Sequence, residues 1–130
     1  MLSMGNLRNE SGFTLTSVLV GMIVLSIGLL GAARLVVTVF NNNAFSQQLT
    51  TATTLAQEKI AVVQRLGYAN ADNAVGTEAY GTIDHYGGYQ RMTSMSPNTP
   101  AAGIKTVTVT VSWRSRSQTH AVTLPTLLAQ

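Results

Sequence analysis

The sequence predicts an α+β fold in which one long N-terminal helix packs on a small three-stranded antiparallel β-meander. Three observations predict it. Residues 13–33 contain no charged side chain and are almost wholly apolar. Residues 45–66 then carry apolar side chains at helical spacing, as Phe45, Leu49, Ala52, Ala56, Ile60 and Val63, the stripe of a one-sided helix. The last third alternates Val107, Val109, Val111 and Trp113 with Thr106, Thr108, Thr110 and Ser112, a period of two that puts apolar groups on one face of a strand.

The first element sets the class of protein. At 1.5 Å rise per residue, an apolar helix over residues 13–33 is about 30 Å long, the thickness of a bilayer's hydrocarbon core. The chain therefore can cross a membrane once. Ahead of this run lie Arg8, Asn9, Glu10 and Ser11, and Gly12 abuts it directly. A secretory signal places its small-residue cleavage site after the apolar core. Here the glycine precedes the core, so a cut after it leaves the apolar helix on the product. Arg8 fits a cytoplasmic flank under the positive-inside rule.

Gly12, Phe13, Thr14 and Leu15 followed by a long apolar helix resemble the prepilin signature of type IV pilins and type II secretion pseudopilins. The resemblance implies cleavage between Gly12 and Phe13 by a prepilin peptidase of the inner membrane, then methylation of the new amino terminus on Phe13. Ser17 stands where most members carry Glu. In the family that carboxylate is thought to neutralise the terminal amine among apolar helices, where an unpaired charge is costly. Two readings of Ser17 stand: a subunit at or near a filament tip, or a hydroxyl that simply bonds back to its own helix in a low-abundance subunit. Gly21, Gly28 and Gly31 let neighbouring helices approach closely.

Beyond the span, residues 35–40 are β-branched and poor helix formers, though continuity with an apolar helix overrides propensity. Asn41, Asn42 and Asn43 are the weakest point of the predicted helix. Leu55, Lys59 and Leu66 widen or flank the later stripe, Gly67 is the expected stop, and Lys59 and Arg65 lie toward the negative end of the dipole. A helix over residues 13–66 is about 80 Å long.

Residues 67–88 are rich in Gly, Asn, Asp and Ala without periodicity and read as a connecting loop, with one short turn or strand near Thr82 to Tyr86. Tyr80, Tyr86 and Tyr89 serve there as interface aromatics or as packing residues. Strands follow at residues 89–95, 104–113 and 119–124, the last with His120, Val122 and Leu124 on one face and Pro125 as its end. The valine row is expected to meet the stripe from Leu49 to Val63.

The expected organisation is a leader at 1–12, a membrane and filament-core helix at 13–40, its amphipathic continuation at 41–67, an αβ-loop at 68–88 and a sheet head at 89–130. Residues 52–66, with Leu55, Ala56, Gln57, Glu58 and Lys59, together with the Val107-to-Trp113 strand and Val122, Thr123 and Leu124, look like PilV-type minor pilins and the related secretion pseudopilins.

Composition narrows the function. The formal net charge is +3 and there is no cysteine, so a soluble head of roughly 75–90 residues must be held by packing alone. The basic residues form no run beyond Arg114 and Arg116, which does not favour nucleic-acid binding. His85 and His120 lack metal-ligand spacing, Asp84 and His85 point to opposite faces if extended, and no nucleophile elbow or phosphate loop is present. No enzyme activity, cofactor or metal is expected. The expected role is a minor type IV pilin that enters or primes a pilus-like filament; the alternatives are a pseudopilin of a secretion or competence system, or a filament-borne adhesin or DNA-binding subunit. Its implied partners are major and minor pilins, met through the N-terminal helix, the prepilin peptidase and the inner-membrane assembly platform. Its implied location is the inner membrane as a single-pass protein, then a periplasmic or extracellular filament.

Overall fold

A computed structural model describes the backbone of residues 5–130 and the side chains from Gly12 onward. Four residues of the expected leader, and the side chains of Arg8, Asn9, Glu10 and Ser11, lie outside the described residues. The chain divides into two units, one ending at Ala44 and one spanning Phe45–Gln130. A single helix, α1, covers Gly5–Asn70 and so contributes to both.

In the first unit α1 is bare. Phe13, Leu15, Leu19, Met22, Leu25, Ile27, Leu30, Leu35 and Phe40 are all exposed, so the fold itself provides nothing to cover them. Six hydroxyls along α1 are satisfied locally: Thr16, Ser26, Thr38, Thr50, Thr53 and Thr54 each donate to the carbonyl four residues earlier at 2.8–3.0 Å. That bond lets polar residues sit in a helix without competing for distant partners. Asn41, Asn42 and Asn43 remain helical. The backbone leaves helical values at Gly67, with φ 73° and ψ 177°.

In the second unit, a 3-10 turn (Ala71–Ala74) follows α1 and leads to four strands: β1 (Gly76–Glu78), β2 (Tyr89–Pro97), β3 (Ile104–Ser115) and β4 (Gln118–Ala129). They pair antiparallel in the order β1-β2-β3-β4. The α+β class holds, with one more strand than the three predicted. A three-residue strand is too short to show a period, and β1 forms because Gly76, Thr77 and Glu78 fall opposite Thr93, Met92 and Arg91. The two-residue connection between β3 and β4 uses Arg116 and Ser117, both with positive φ, as a primed hairpin turn requires.

Pro125 does not end β4. The strand continues to Ala129, with Pro125 opposite Thr108. Gln130 donates its N–H to the Gly103 carbonyl, so even-numbered positions of β4 bond toward β3 and odd ones face the free edge. Pro125 is therefore on the side where a missing N–H breaks no ladder bond.

The core forms where β3 meets the helix. Ala52, Leu55 and Ala56 pack on Val109, Val111 and Trp113, with Ile60, Ile83, Tyr89, Val122 and Leu124 around them. A second cluster joins Val63, Ala71 and Ala74 to Val107 and Leu128. Alanines four residues apart leave the valine row room to approach the helix backbone. As predicted, the valine row meets this stripe, but its upper end stays open: Phe45 and Leu49 are each 40% exposed.

One buried group is left over. Thr93 is 2% exposed, and its hydroxyl has no hydrogen-bond partner among the described residues. A buried unpaired hydroxyl costs about 1 kcal/mol or more. Thr93→Val keeps the shape and removes the hydroxyl, so it should raise stability by about 1 kcal/mol. A higher urea midpoint with an unchanged slope is the expected reading.

Candidate processing site and assembly helix

The N-terminal site is built on one stretch of α1. Gly12 and Phe13 lie within it, and Phe13 is 77% exposed. Apart from its own helix backbone and chain neighbours, nothing among the described residues lies within 4 Å of the place a Cβ on Gly12 would occupy. The Thr16 hydroxyl donates to the Gly12 carbonyl oxygen at 2.9 Å. The Ser17 hydroxyl, one residue on, makes no hydrogen bond among the described residues, whereas the neighbouring Thr16 hydroxyl does bond back to the helix.

Helical geometry brings the other expected residues together. With about 100° of rotation per residue, Ser17, Gly21, Gly28 and Gly31 fall within an arc of about 80°. A Cβ at any of the three glycines would meet nothing within 4 Å. The result is a seam of small residues flanked by exposed Leu, Ile and Val, a surface on which another helix can lie close. By length and composition α1 can cross a membrane, and its most apolar window has no buried residue.

Charged side chains clamp the head to its own helix segment. Arg91, on the inner face of β2, donates Nε to Glu78 Oε2 at 2.6 Å and Nη2 to Glu78 Oε1 at 2.7 Å. Its Nη1 donates to the Leu55 carbonyl of α1 at 3.0 Å. Lys59 of α1 also reaches Glu78, at 3.4 Å. The hydrogen bonds from Arg91 hold the Glu78 carboxyl below the ordinary carboxylate range although burial works against them, and the same bond raises the Arg91 guanidinium. Lys105 of β3 donates to the Tyr68 carbonyl at 3.0 Å and to Asp72 at 2.9 Å, with its ammonium 4.5 Å from the Tyr68 ring centre. The helix end is thus served by Lys105, and Lys59 is paired with Glu78.

Arg91 and Lys105 were not among the expected site residues, although the signal was present. Each shares strand parity with inward residues, Arg91 with Thr93 and Lys105 with Val107. A cation on the apolar face of a strand must find a partner.

The aromatic residues divide. Tyr89 is a packing residue: its hydroxyl donates to the Gln48 carbonyl at 3.4 Å and its ring lies 6.1 Å from Trp113. Tyr86 meets Tyr89 edge-on at 6.3 Å and is 42% exposed. Tyr80 lies under the Arg114 guanidinium at 5.2 Å. His120 stacks on Trp113 at 5.6 Å and meets Phe45 at 5.1 Å, whereas His85 is exposed in the loop. The two histidines are thus in different settings, and the described residues hold no group of three His, Cys, Asp or Glu that could bind a metal.

Residues 7–33 match the family model described as the prokaryotic N-terminal methylation motif. No curated protein and no solved structure matches the chain.

Proposed function

We propose that this chain, which carries a prepilin-type N-terminal methylation motif over residues 7–33, is a minor subunit that enters or primes a type IV pilus-like filament, at or near its tip. The motif supports a pilin-like or pseudopilin reading, a structural role in which the chain is processed by a prepilin peptidase and assembles with other pilins. The apolar helix fits anchoring in the inner membrane before assembly.

The observation that carries the finer reading is the meeting of two features on one helix. An exposed apolar surface with Gly21, Gly28 and Gly31 on a common face suits lateral packing against other N-terminal helices. Ser17, on that same face, brings no carboxylate to the terminal amine that cleavage at Phe13 creates. A subunit of this kind is poorly suited to stacking between copies of itself, where each amine needs a carboxylate from a neighbour. It suits a place at the end of the assembly, where one such contact is missing. The subunit then reaches the periplasm or cell exterior with the filament. A pseudopilin in a secretion system satisfies the same observations.

The test is mass spectrometry of filaments sheared from cells. The expected N-terminal peptide begins at N-methylated Phe13 and is far less abundant than the main subunit. A chain still starting at Met1 sinks the processing reading. Abundance equal to the main subunit sinks the minor-subunit reading.

A further inference from the structure

We infer that Thr16 is a positioning residue for cleavage of the Gly12–Phe13 bond, its hydroxyl donating to the scissile carbonyl oxygen as negative charge builds there. The inference rests on the processing reading above and deepens it.

The geometry is direct. Thr16 Oγ1 lies 2.9 Å from the Gly12 oxygen. Because α1 is helical through both residues, the Thr16 backbone N–H points at the same oxygen. Two donors of one residue therefore converge on the carbonyl that hydrolysis attacks. Water adds to the Gly12 carbonyl carbon, the C–N bond breaks, Gly12 leaves as the carboxylate end of the leader, and Phe13 leaves as the amine that takes up the proton. During addition the Gly12 oxygen gains charge, and a hydrogen bond to an ionised oxygen is about twice as strong as one to a neutral carbonyl. The peptidase supplies its own acid and base groups; the substrate brings this donor with it.

Similar hydroxyl bonds at Ser26, Thr38 and Thr50 belong to the helix that remains after cleavage. The bond at Thr16 differs in one respect. Its acceptor departs with the leader, so it contributes nothing to the mature helix. Whatever this bond does, it does before or during cleavage.

The experiment follows leader removal over time in membranes holding the full-length chain and a prepilin peptidase. Thr16→Val keeps the branched shape without the hydroxyl, and Thr16→Ser keeps the hydroxyl. One ordinary hydrogen bond corresponds to a change of about three- to tenfold. The Val variant should be cleaved slower by about that factor, in kcat and with KM unchanged, and the Ser variant should return close to the unaltered rate. Cleavage of the Val variant at the unaltered rate or faster, or a Ser variant as slow as Val, overturns the role of the hydroxyl. A loss confined to KM overturns the transition-state assignment. An unaltered chain that is not cut at all overturns the processing reading itself, and this inference with it.

Discussion

Arg91→Ala should destabilise the Phe45–Gln130 unit by about 2–4 kcal/mol, the cost of leaving one partner of a buried ion pair behind. Arg91 is 7% exposed. Its guanidinium ties three pieces of chain together: Glu78 of β1, the Leu55 carbonyl of α1 and β2 itself. The expected loss falls short of the largest values known for such pairs because the Glu78 side chain keeps 36% of its exposure and water can partly replace the guanidinium. A unit of this size has roughly 5–10 kcal/mol in total. The variant therefore loses a large fraction of it. Urea unfolding of the full chain in detergent, followed by the fluorescence of the single Trp113, measures the change.

The same pair sets a pH dependence. The Glu78 carboxyl is lowered, chiefly by its hydrogen bond from Arg91. A group depressed on folding contributes its full stabilisation above its unfolded value and loses it as pH falls through the folded one. Stability should therefore decline on acidification from about pH 5 downward, where an ordinary carboxylate begins to take up protons. Arg91→Ala should flatten that part of the profile. An Arg91→Ala variant with an unchanged urea midpoint and an unchanged acid limb would show that the pair holds nothing together.

Gly67→Ala should cost about 2 kcal/mol, enough to lower the melting temperature of a unit this size by roughly 10 °C. Gly67 sits at φ 73° and ψ 177°, a region that side chains with a Cβ essentially never occupy. Apart from its chain neighbours and its own helix backbone, nothing among the described residues lies within 4 Å of the added Cβ. The penalty is thus one of backbone conformation, without steric overlap. It is felt beyond the turn, because Gly67 directs the chain to Tyr68, whose carbonyl is held by Lys105. An alanine that restores helical values at residue 67 moves that carbonyl away from the ammonium. Gly88→Ala is the control: its Cβ also meets nothing and its φ is not positive. Equal melting temperatures for the two variants would remove the conformational explanation.

How much of this was legible beforehand varies by element. The apolar helix, the stripe and β3 were readable because each is long and repeats a simple period. Gly67 was readable as a break because a residue without a Cβ marks a change of backbone direction. β1 was not, since its three residues pair only because β2 lies alongside. The length of β4 is not legible in sequence, because a proline's effect depends on which side of the strand its nitrogen faces, and that is settled by pairing. Lys59 also reaches Glu78, a partner 19 residues further along the chain that no local pattern points to.

At the N-terminal site, the chain order of Gly12, Phe13 and Ser17 and the apolar length behind them were determined by sequence alone, because these are properties of consecutive residues on one helix. So was the common face of Ser17, Gly21, Gly28 and Gly31, which follows from helical pitch. Only the tertiary structure decided what anchors the head. Arg91 reaches residues 13 and 36 positions away, and Lys105 reaches residues 33 and 37 positions away. Pairing at such separations depends on how the sheet lies on its helix, which no local pattern encodes.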